Sequence, residues 1–186
     1  MTVQILDSLI YNRRTFSIIG LKGKGLYSPN DFGLKPIALH SANWRGYVMQ
    51  YKIYYKKLVL DNMQVSIEEI KENIPKINNV IPVIENVGPI YLFYQNLRLK
   101  TYYTGKILIA KGYIYGLHDS MGPPDPISFK TLIELDIKNG DFLLAEDLSD
   151  KIAEYREQTD ANGTQRPPSD LLYRISNTYS LDYVFK

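Results

Sequence analysis

A mainly β fold of the α+β kind, with a few short helices, is what this sequence predicts, and three observations predict it. Tyrosine is the outlier of the composition, with 16 residues; it favours strands because its ring packs while its hydroxyl stays wet. Two stretches read as hairpins, Tyr47 to Ile53 returning through Leu58 to Met63, and Thr131 to Ile137 returning through Phe142 to Leu148. The hairpins also match one another. Ile53 to Ile137 and Leu60 to Leu144 span one and the same offset, while Gly25 to Gly105 spans a slightly shorter one. A four-residue insertion reconciles the two. The expected organisation is two related strand–loop–hairpin units, about 3–73 and about 90–158, packed as one compact domain over 1–158.

In chain order, Val3 to Tyr11 reads as a strand, Asn12-Arg13-Arg14 as a turn, and Thr15 to Ile19 as the returning strand. Gly20, Gly23 and Gly25 then punctuate the chain, at positions needing positive φ or close backbone approach. Ser28-Pro29 has the form of a helix start, with Ser28 as cap, and Gly33 ends that helix after about one turn. Residues 34–44 form a loop. Arg45 to Tyr55 is a long strand with Tyr47, Met49, Tyr51 and Ile53 on one face, turned by Lys56-Lys57 into Leu58 to Ile67. Ser66 to Asn73 fits a short capped helix.

Pro75, Pro82 and Pro89 make 74–89 the connector between units. Ile90 to Tyr94 and Leu97 to Tyr103 read as strands. Lys106 to Tyr115 fits a strand or a buried helix. Met121 to Pro126 is a loop. Ile127 to Ile137 and Asp141 to Leu148 form a hairpin across Asn139-Gly140, a strong turn signal. Ser149 to Gln158 is helical, with Ser149 as its cap. Residues 159–170 are polar with two prolines, a linker or loop, and 171–186 is an apolar segment expected to pack on the body or on a partner.

Composition excludes several function classes. Net charge is +2, from 22 basic and 20 acidic residues, without the concentrated basic face of a nucleic-acid binder. There are no cysteines, which removes disulfides, thiolate catalysis and cysteine metal sites. The first residues lack a basic region followed by a long apolar run, and no window approaches 18 uninterrupted apolar residues. The expectation is a cytoplasmic protein that meets neither nucleic acid nor membrane. No phosphate loop, dinucleotide fingerprint, nucleophile elbow or zincin motif is present.

The stretch Gly20 to Leu26, with Asp31-Phe32-Gly33, His40 and Trp44-Arg45-Gly46-Tyr47, resembles small uncharacterised bacterial proteins. The likeness extends through Tyr103-Thr104-Gly105 and Ile107 to Ala110, and covers most of 3–157. It brings no activity with it, because such proteins have no established function.

The candidate binding residues are His40, Trp44, Arg45, Tyr47, His118 and Asp119. Trp44-Arg45-Gly46-Tyr47 is the densest cluster of the recognition type, since Trp and Arg anchor interfaces; a cation–π contact from Arg45 to a neighbouring tyrosine is the competing structural reading. His40 and His118 fall at similar places in the two units. A two-histidine metal site completed by Asp119 or Asp31, or a hydrolytic pairing of His118 with a serine, is outweighed by loop histidines that bond backbone. Asp61, Glu134, Asp136, Glu146 and Asp147 read as the solvent faces of strands. No catalytic residue, metal or cofactor is expected. The leading expectation is a non-enzymatic protein-binding module, in concrete form an immunity or accessory protein of a bacterial toxin or defence system. The alternative is a small-molecule binder or enzyme with its site in the cleft between the units. Homodimerisation through 171–186 is compatible with either.

Overall fold

The computed structural model describes residues 5–70, 73–115 and 126–162, with side chains of the last helix described as far as Glu157. The chain is mostly β. Its strands, in chain order, are β1 (Ser8–Tyr11), β2 (Arg14–Lys24), β3 (Tyr47–Tyr54), β4 (Lys57–Ile67), β5 (Val83–Asn86), β6 (Ile90–Tyr94), β7 (Leu99–Lys100), β8 (Thr104–Tyr113), β9 (Phe129–Lys138) and β10 (Asp141–Asp147). Among the described residues one α-helix, α1 (Ser149–Asn162), follows, and one-turn 3-10 helices occupy Pro29–Phe32 and Pro126–Ser128.

All ten strands belong to one mixed sheet in the order β10-β9-β8-β2-β1-β3-β4-β6-β5, with β7 also on β4. The pair β1–β3 is parallel and the others are antiparallel. The sheet also closes. Asp141 at the start of β10 pairs with Lys57 at the start of β4, and Leu58 N–H donates to Gly140 O at 2.8 Å while Phe142 N–H donates to Lys56 O at 2.9 Å. Strands β1, β2, β8, β9, β10, β4 and β3 thus form a ring, and β6 and β5 extend from the far half of β4.

Tight turns of one kind build the hairpins. Asn12-Arg13, Tyr55-Lys56 and Asn139-Gly140 each have two consecutive positive φ angles, the geometry whose twist matches that of paired strands. The first hairpin turns at Tyr55-Lys56, one residue before the position expected.

The ring encloses the main core, which includes Leu9, Met49, Tyr51, Leu60, Ile107 and Leu135. A second core lies outside it, where Ile152 and Leu148 cover Leu108, Ala110 and Leu132. Strand β8 is therefore buried on both faces: Ile107 and Ile109 point inward, Leu108 and Ala110 outward beneath α1. This explains the unbroken apolar run that left strand and buried helix open. Arg156 holds the helix in place by donating to Ile127 O at 3.0 Å and Phe129 O at 2.8 Å.

Two seams join the halves of the chain. Lys24 pairs with Thr104 across β2–β8, and Lys57 pairs with Asp141 across β4–β10. At the first seam Gly23 faces Gly105, and a Cβ on Gly105 would sit 2.0 Å from Lys22 O. The strand pairing of the two halves is not the same: β1 stands between β2 and β3 whereas β8 pairs β9 directly, and β4 pairs β6 and β7 whereas β10 pairs only β9 and, at Asp141, β4.

Several local expectations are corrected. Residues 5–7 are not strand; β1 begins at Ser8. Gly20 and Gly23 lie within β2, which runs on to Lys24 because it needs the full length to pair with β8. Ser66 begins no helix; β4 continues through Ile67, which pairs with Ile90. The connector 74–89 contains β5, and Leu97 to Tyr103 contributes only the short β7. The capped turn at Ser28 is present, with Ser28 N–H donating to Asp31 Oδ2 at 2.6 Å and Gly33 at φ 75°. Residues 171–186 lie outside the described residues.

A candidate binding surface at the Trp44 loop

The loop from Leu34 to Gly46 carries Trp44 to the end of the ring where β3 begins. Its path is set by short-range chemistry. Asn43 N–H donates to His40 O at 3.0 Å and Gly46 N–H to Asn43 O at 3.1 Å, giving two successive tight turns. Gly46 has φ 72°, and a Cβ there would sit 2.3 Å from Ile37 O, so only glycine fits. Ser66 staples the loop to β4: its N–H donates to Gly46 O, and its hydroxyl lies 2.8 Å from both Ile37 O and Gly46 O. Ile5 N–H donates to Ala42 O at 2.8 Å and ties down the other side.

The strongest fixture is an ion pair. Asp7, 2% exposed, receives two hydrogen bonds from Arg45, at 2.7 and 3.1 Å, and a third from Met49 N–H at 2.9 Å. A buried carboxylate is tolerable only with such a set of donors. The Arg45 guanidinium also lies over the Tyr47 ring, 4.7 Å from its centroid. Burial pushes the Tyr47 hydroxyl pKa up, against the lowering effect of Arg45. It pushes that of Tyr51, fully buried behind, further still.

The structure therefore divides the residues singled out in the sequence. Arg45 and Tyr47 face inward as the loop's support. Trp44 is 60% exposed, and His40 is exposed on the turn before it. His118 and Asp119 lie outside the described residues. Of the hairpin carboxylates, Asp61 and Glu134 are buried rather than on the solvent face, 3.8 Å from Lys52 Nζ and 2.5 Å from Lys106 Nζ respectively. Among the described residues no group of three His, Asp or Glu side chains could hold a metal ion. No described helix is long and apolar enough to cross a membrane.

Concavities among the described residues lie away from Trp44. One, of about 400 Å³, is on the outer face of β3 and β4; another, of about 180 Å³, lies between Gly33–Ile37 and the segment around Ile74. Neither is lined by His40, Trp44 or Arg45; the larger is lined by residues of both 3–73 and 90–158. Sequence reading missed Asp7 and the amides of the larger groove. The alternation Gln50, Asn62, Gln64 was visible, but which of them meet depends on strand register.

No protein-family model, curated protein or solved structure matches this chain.

Proposed function

We propose that the protein is a non-enzymatic binding module that holds another protein through the Trp44 loop. One observation carries this reading: the only tryptophan is presented to solvent on a loop whose neighbouring residues are locked. Tryptophan loses little conformational entropy on binding and dominates the energetics of interfaces. A preorganised loop lowers the ordering cost of association. Ile5, exposed beside the loop, widens the apolar surface. An immunity or accessory protein of a bacterial toxin or defence system is the concrete form, because stoichiometric capture needs a rigid anchor and no reacting group.

The test places a photo-crosslinking aromatic at position 44, and in a second variant at Tyr55, which is 83% exposed at the opposite end of β3. In the producing cells, position 44 should yield one discrete protein adduct that position 55 does not. Trp44→Ala should then weaken binding of that protein by at least about 2 kcal/mol. Its unfolding stability should change by less than about 0.5 kcal/mol. Unchanged affinity, or a loss of several kcal/mol of stability, overturns the reading.

A further inference from the structure

The larger groove has a chemistry distinct from the Trp44 surface. Its floor is the outer face of β1, β3 and β4, where Ser8 pairs with Gln50 and Gln50 with Asn62 across the strands. One row along, Gln64 pairs with Phe93 of β6. The chain leaving β6 rises through Gln95 and Asn96 to form a wall, and Leu97 N–H returns to Asp61 O at 2.8 Å. None of the ten lining residues is charged, and five are carboxamides.

The amides are set in order. Gln50 Nε2 donates to Ser8 Oγ at 3.1 Å, Asn62 Nδ2 donates to Gln50 Oε1 at 2.6 Å, and Asn62 Oδ1 accepts from Asn96 N–H at 3.0 Å. Gln64 and Gln95 make no side-chain hydrogen bond among the described residues and remain available. Phe93 is half-buried at the edge of the groove, its ring 6.1 Å from that of Tyr91.

We infer that this groove binds a neutral oligosaccharide. Each carboxamide both donates and accepts, which matches a hydroxyl that does the same. A half-exposed aromatic ring offers a face for the C–H side of a sugar. A charged ligand would find no counter-charge and would lose its hydration without return. An apolar ligand would strand five amides. An extended peptide would need a free strand edge, but β3 is paired on both sides, by β1 and β4, and β4 by β3 and β6. Recognition there falls to side chains alone. The volume, about 400 Å³, lies within the roughly 300–1,000 Å³ of small-molecule sites.

The experiment is a titration of the isotope-labelled protein, followed by NMR at the side-chain amide signals. The probes are lactose, cellobiose, N,N′-diacetylchitobiose and maltotriose, with a sulfated heparin disaccharide and the peptide Ala-Gln-Ala as comparators. At least one neutral sugar should shift the Gln50, Asn62 and Gln64 amides saturably. Gln64→Glu and Phe93→Ala, each checked for an unchanged backbone spectrum, should weaken that sugar at least about tenfold, a step of about 1.4 kcal/mol. Trp44→Ala should leave it unaltered, which separates this site from the protein-binding surface. If no neutral sugar shifts these amides at tens of millimolar, or if only the peptide or the sulfated sugar does, the inference fails. If the variants fold poorly, the pattern of shifts in the unmodified protein still decides it.

Discussion

Lys57 and Asp141 come from different halves of the chain and are partners twice, as cross-strand neighbours at the closure of the sheet and as an ion pair. The pair is 44% exposed on each side, and Lys57 holds the Asp141 carboxyl below the usual carboxylate range. Exposed pairs contribute little, so the backbone around them must hold the seam. Gly140 carries that burden. Its carbonyl accepts from Leu58 N–H across the seam at 2.8 Å, its N–H donates to Tyr103 O at 2.8 Å within its own half, its φ is 77°, and a Cβ would sit 2.1 Å from Thr101 O. In urea unfolding, Gly140→Ala should cost at least about 2 kcal/mol from backbone strain and displacement of that carbonyl. Asp141→Asn should cost far less, and only at pH values where the carboxylate is ionised. A depressed pKa gives stability that is present above the unfolded value and lost as pH falls through the folded one. The two proteins should therefore converge in strong acid.

The Asp7–Arg45 pair is a different case, because it is buried. Replacing Arg45 with Met leaves a carboxylate without its main partner and should cost about 3–5 kcal/mol. Adding Asp7→Asn to that variant should recover part of the loss, since the uncompensated charge is then gone. Chemical denaturation at neutral pH measures both. A single-mutant effect below about 1 kcal/mol would mean that water reaches Asp7.

Alkaline pH should expose the buried tyrosines. Burial pushes the Tyr94 hydroxyl up to about 12 and those of Tyr51 and Tyr103 upward as well. Their contribution is fully present below the ordinary tyrosine value of about 10, and is lost as pH rises toward the folded values. Stability should fall steadily above about pH 10, and Tyr94→Phe should flatten that slope. At neutral pH the same variant should lose about 1 kcal/mol, because the Tyr94 hydroxyl donates to Pro75 O at 2.8 Å. An ultraviolet titration in which all tyrosines ionise together near their ordinary value would contradict this.

Local chemistry was legible in the sequence where one or two residues decide it. Asn139-Gly140 specified its turn, and Ser28 with Pro29 and Gly33 specified a capped turn of helix. Strand β5 was hidden because Val83 to Asn86 are all exposed and flanked by Pro82 and Pro89, leaving no alternation to read. Ser66 to Asn73 carries a capping pattern that long-range pairing overrides, since Ile67 bonds into the sheet opposite Ile90. The site was half legible. Trp44 could be singled out, but its exposure depends on Arg45 turning inward to Asp7, 38 residues earlier. The matched offsets did not carry the topology: Gly105 pairs with Gly23 rather than Gly25, Ile53 pairs with Leu58, and the place of β1 between β2 and β3 left no signal.

Closure at Lys57 and Asp141 also sets an order in time. A chain made at about 5–20 residues per second completes the stretch from Lys57 to Asp141 in roughly 4–17 s. Until β8, β9 and β10 emerge in turn within that interval, the part of the ring already made has no strand to cover the inner faces of Leu9, Met49 and Leu60. Those side chains, fully sheltered in the finished molecule, form an adhesive surface on the nascent one. Exposure of that surface during synthesis, before the ring closes, is the vulnerability this topology builds in.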